Sequence, residues 1–69
     1  MLDKLVPQIE RAAAAGAVVV LKWDGKRAER PCTVVLTHES TGFTWRQDSD
    51  DMVTSLRLVL DEYNAAHKA

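Results

Sequence analysis

One cysteine, Cys32, is the only thiol in the chain, so no internal disulfide can form and no cysteine-based zinc or redox motif can be assembled. A chain of 69 residues without disulfides fits a reducing compartment, and a cytoplasmic location is expected. Aromatic residues are also scarce. Trp23, Phe43, Trp45 and Tyr63 are the whole set, which leaves the core to Leu, Val and Ile. Long apolar runs are missing: the longest, Ala12 to Leu21, is interrupted by Gly16 and falls well short of the ~20 residues of a membrane span. Asp3, Lys4, Pro7 and Glu10 break any signal-peptide apolar region at the start, so a soluble chain without a membrane partner is expected. An excess of positive charge is absent too. The net charge of −1 lacks the basic surplus with which nucleic-acid modules neutralise phosphates.

What is present is a single domain, residues 1–69, with 46% hydrophobic and 28% charged residues, ordinary values for a folded chain. It carries no repeats, linkers or low-complexity tracts. Leu2, Leu5, Val6, Ile9 and Ala13 recur at spacings of three and four, which predicts a first helix over about 3–15. Asp3 is a candidate N-cap, but Pro7 removes a backbone donor and crowds the preceding turn, so a regular helix is expected from near Val6. Gly16 ends it as a left-handed cap, and the Ala12–Ala15 run suits close approach to a sheet.

Three β-runs follow. Ala17 to Trp23 is β-branched and apolar on both faces, Val19, Leu21 and Trp23 on one and Val18 and Val20 on the other, with Lys22 as the one charge. Asp24-Gly25 is a turn signal, leading either to a long loop up to Pro31 or to two projecting polar strand ends. Thr33 to His38 alternates, with Val34, Leu36 and His38 opposite Thr33, Val35 and Thr37. Glu39 to Gly42 is a turn by composition. Phe43 to Gln47 alternates again, Phe43 and Trp45 inward and Thr44 and Arg46 outward. A second helix over about 49–66 carries the stripe Met52, Val53, Leu56, Val59, Leu60 and Tyr63, with Leu58 off it. Asp48 or Ser49 is its expected cap, Asp50 and Asp51 fit the positive end of its dipole, and His67 and Lys68 suit its carboxyl end. The predicted fold is α+β, ordered α-β-β-β-α: a three-stranded antiparallel meander with two helices packed on the sheet.

That layout is similar to the double-stranded RNA-binding domains, which bind phosphates through lysines at the start of the second helix. Here Asp48-Ser49-Asp50-Asp51 stands at that place and would repel a phosphate backbone, so the resemblance implies the layout without the function. The stretches VLKWDGKR and TVVLTHESTGFTWRQDSDDM, between Val20 and Met52, resemble a family of short bacterial proteins without an assigned function. The shared features are a strand ending in Trp-Asp-Gly and an acidic start to the last helix. The resemblance implies a cytoplasmic bacterial protein of this fold and brings no catalytic residues with it.

The residues offer little chemistry. Cys32 and His38 lie on one strand about 20 Å apart, too far for a nucleophile and its base, so Cys32 reads as a small buried hydrophobe. Asp48, Asp50 and Asp51 suggest a cation loop, but Met52, Val53 and Val59 stand where its ligand, glycine and glutamate would be. His38, Glu39 and His67 fall short of a zinc set and read as a strand end and a frayed helix end. No catalytic residue, cofactor or metal is expected.

Two surface candidates remain. Lys22, Lys26, Arg27 and Arg30 outnumber Asp24 and Glu29, and Arg46 adds to them. With Trp23 and Trp45 as stacking platforms this patch is a candidate for weak binding to single-stranded nucleic acid; the simpler reading puts both tryptophans in the core. The other candidate is an interface. If both helices cover one sheet face, Val18, Val20 and Val35 form a bare apolar strip on the other, with Leu58 a further exposed residue. Pairing through sheet faces or edge strands, as a homodimer or with another protein, would bury it. A non-catalytic interaction module is therefore the expected function.

Overall fold

The computed structural model describes residues 2–67, so the expected contribution of Lys68 to the last helix lies outside the described residues. The order is α1 (Leu2–Ala14), β1 (Val18–Trp23), β2 (Cys32–His38), a short 3-10 turn (Glu39–Thr41), β3 (Phe43–Ser49) and α2 (Met52–Ala66). The strands form one antiparallel sheet in the order β1-β2-β3, with Val20 opposite Val35 and Val35 opposite Arg46. The predicted α-β-β-β-α meander is the fold of the chain.

The two helices share one face of the sheet. Val34 and Leu36 on β2 point into that layer and are fully buried against Leu56, Val59 and Leu60 of α2 and Leu5 and Ala12 of α1. At roughly 1.5–3 kcal/mol for each fully buried aliphatic side chain, this cluster is the main source of stability in the domain. The Met52–Tyr63 stripe faces the sheet as expected, and Leu58, on the far side of α2, is exposed.

The first helix departs from expectation at both ends of its stripe. It begins at Leu2, with Pro7 inside it. Leu2 and Leu5 pack on the core, which offsets the ~3 kcal/mol disruption of an internal proline, and Pro7 itself lies on the solvent side where the lost bond can be made to water. The inward set is Leu2, Leu5, Ile9 and Ala12; Val6 and Ala13 are exposed, and of the alanine run only Ala12 is buried.

Capping also differs. The N-cap of α2 is Asp51, whose Oδ2 accepts from the Thr54 N–H at 3.1 Å and the Thr54 hydroxyl at 2.9 Å. Asp48 and Ser49 are unavailable for that task because β3 runs on to pair Ser49 with Cys32 and Asp48 with Thr33. At the other turn Gly16 behaves as expected. Its N–H donates to the Ala13 carbonyl and that of Ala17 to Ala12, the bond pair of a Schellman cap, with Gly16 at φ 111°. A Cβ at Gly16 would meet His38 Nε2 at 3.3 Å. Gly16→Ala should therefore lower unfolding free energy by about 1–2 kcal/mol in a denaturant titration, since only the glycine tolerates this φ without strain.

Candidate interaction surface

The open side of the sheet is built by the even-numbered residues of β1 and the odd-numbered residues of β2: Val18, Val20 and Lys22 beside Thr37, Val35 and Thr33. No helix covers it. Val18 is 59% and Val20 49% exposed, large values for valines in a paired strand, and Val35 between them and Arg46 is half-buried. The three valines expected to form one strip thus do lie together. Leu58 does not join them, because α2 presents it on the opposite side of the molecule.

At one end the open face turns polar. Thr33 is buried under the Arg27 side chain, which donates to its hydroxyl at 3.3 Å; that hydroxyl in turn donates to Asp48 Oδ1 at 2.5 Å. Arg27 lies 3.8 Å and Arg46 3.6 Å from the same carboxylate. The Thr33 hydrogen bond above all, helped by the two guanidinium groups and opposed by partial desolvation, holds the Asp48 carboxyl below its ordinary pKa.

This network bears on the basic patch. Arg27 and Arg46 share Asp48, Lys22 lies 4.0 Å from Asp24, and the Arg30 backbone N–H, at a left-handed φ of 48°, donates to Asp50. Lys26 stands in the Asp24 turn, where its own N–H donates to Asp24 Oδ1. The patch is thus interleaved with carboxylates. Neither tryptophan is core, contrary to the simpler reading: Trp23 is 59% exposed and Trp45 is also exposed, because each sits on an edge strand beyond the cover of the helices. Their side chains share the helix-side face, away from Arg46 and Lys22.

The histidines were expected to be separate and are not. His38 is buried with Nδ1 2.9 Å from the Tyr63 hydroxyl, and its ring stacks on His67 at 5.2 Å. His67 Nδ1 lies 2.8 Å from the Tyr63 carbonyl, which can only accept, so this nitrogen carries a proton; Nε2 meets the Thr41 hydroxyl at 2.7 Å. Phe43 closes the group edge-on. The signal in the sequence was the placement of His38 on an inward strand position and of His67 four residues after Tyr63, at the cap of α2. The arrangement ties the end of α2 to the end of β2, and no cavity that would admit a ligand is found among the described residues. Cys32 is buried at the other end of β2.

No protein-family model, curated protein or solved structure matches this chain. The geometry alone carries the functional argument. No helix among the described residues is long and apolar enough to cross a membrane.

The Asp48 carboxyl sets a pH dependence. Because its pKa is lower folded than unfolded, it adds stability above the unfolded value, and this contribution is lost as pH falls below about 4 toward the folded value. Asp48→Asn should flatten the acid limb of stability against pH, measured by urea unfolding from pH 6 down to about pH 2.

Proposed function

We propose that this protein is a small non-catalytic interaction module that associates with a second copy of itself through the open sheet face, centred on Val18, Val20 and Val35. The observation supporting this is the exposure of Val18 and Val20 on a face that none of the described elements covers. The resemblance to short bacterial proteins adds a bacterial, cytoplasmic setting to the proposal. Non-catalytic action is favoured by the separation of Cys32 from His38 and by the engagement of both histidines with Tyr63 and Thr41.

Size limits the strength of the contact. Three strands at about 4.8 Å and six residues at about 3.3 Å give a face of roughly 290 Å² in plan. Stable dimers bury about 800 Å² per partner. The module therefore forms a weak, reversible pair, apolar at Val20 and Val35, with the Arg27–Asp48–Arg46 cluster at its margin. Interleaved carboxylates leave the nucleic-acid reading with less support.

Sedimentation at several concentrations tests this. The wild type should show reversible monomer–dimer association. Val20→Lys should weaken it at least about tenfold, the equivalent of one buried valine, with an unchanged unfolding midpoint. A wild type that stays monomeric at every concentration, or a Val20→Lys variant that associates as well as wild type, refutes the reading.

A further inference from the structure

The free edge of β1 is a second surface, and its backbone says what it fits. The Asp24 N–H donates to the Pro31 carbonyl one step beyond the Trp23–Cys32 pair. In an antiparallel ladder bonded pairs alternate, so Lys22, Val20 and Val18 spend their backbone groups on β2. Val19, Leu21 and Trp23 direct theirs away from the sheet, and among the described residues β1 has no strand partner on that side.

The helix above this edge is unfinished as well. Gln8 of α1 accepts from Asn64 of α2 at 3.3 Å, which marks the flank of α1 that faces α2. Val6 lies about 160° around the helix from Gln8, and Ala13 is seven residues on from Val6, on the same flank. Both are exposed, Val6 to 40%. Since α2 occupies β2 and β3 and α1 lies over β1, this leftover apolar flank overhangs the free edge. Trp23, 59% exposed on the same side of the sheet, stands at one end of the notch.

The two edges of the sheet contrast. β3 carries Arg46 and Asp48 and runs straight into α2, while β1 has only Lys22 against edge pairing. An antiparallel pairing of two copies does not fit the β1 edge. Neighbouring strands lie about 4.8 Å apart, whereas packed helices need 8–10 Å between axes, so a two-fold axis normal to the sheet would drive one α1 into the other. A bare strand meets no such obstacle.

We infer that the β1 edge accepts an extended, β-branched segment of another protein as a fourth strand. Its backbone bonds Val19, Leu21 and Trp23; its helix-side residues pack under Val6 and Ala13 and its other face lies beside Val18 and Val20. Main-chain bonds supply the attachment and the two apolar sides the selectivity, as in strand addition generally. This site is distinct from the open-face contact between copies and stands without it.

The test is to pan a phage-displayed library of random linear peptides on the full-length protein, then follow amide exchange by NMR with an enriched synthetic peptide. Enriched sequences should hold an unbroken β-branched run free of proline. The bound peptide should slow exchange at the Val19, Leu21 and Trp23 amides at least about tenfold, and leave Val18, Val20 and Lys22, already bonded to β2, unchanged. Val6→Lys should weaken binding and Val35→Lys should not. An absence of enriched peptides, protection elsewhere, or sensitivity to Val35→Lys in place of Val6→Lys overturns the inference. None of these results bears on whether the wild type dimerises.

Discussion

Burial of β2 from one side is the constraint on which the rest of this domain depends. Val34 and Leu36 lose all contact with water only because two helices lie across the same face of the sheet. Among the described residues there is no third helix to close the other side. In a domain of 69 residues, near the size at which one core just suffices, concentrating the apolar contacts in one layer is the stable solution. Everything unusual about the surface follows. The residues of β1 and β2 that alternate with the core must face outward, and two of the three on β1 are valines, Val18 and Val20.

The same economy explains the polar ends. Where the open face cannot be covered by a helix, it is partly covered by its own loop: Arg27 lies over Thr33, and Asp48 gathers Arg27 and Arg46. At the opposite end of β2 the buried His38 is satisfied by Tyr63, and His67 and Thr41 lock the last turn of α2 to the β2–β3 connection. These two clusters hold the ends of the sheet in place. The middle, around Val20 and Val35, has no such cover.

Much of this could be read from the residues. The alternation from Thr33 to His38 and the stripe from Met52 to Tyr63 each imply one element and one inward face, and the turn at Glu39–Gly42 makes the strands neighbours. The position of Val18 and Val20 on a common outer face follows from period two alone. The limits were equally physical. Three aspartates compete for the start of α2, and the choice of Asp51 depends on how far β3 pairs with β2, a tertiary fact. Pro7 argued locally for a later start to α1, but packing of Leu2 and Leu5 outweighed it. Val6 and Ala13 share the periodic stripe of α1 yet are exposed, because the inward face narrows to Leu2, Leu5, Ile9 and Ala12. The His38–Tyr63–His67 group joins residues 25 and 4 apart in sequence, and only the return of α2 along the sheet brings them together.

Two helices cover one face of the sheet within the chain, and we propose that association covers the other. Methyl NMR with a soluble paramagnetic agent, at low and high protein concentration, addresses it most directly. Strong broadening of the Val18 and Val20 methyls is expected in dilute protein and their protection in concentrated protein, with Val34 and Leu36 protected throughout. Val18 and Val20 methyls shielded in dilute protein, or equally accessible at both concentrations, would contradict it.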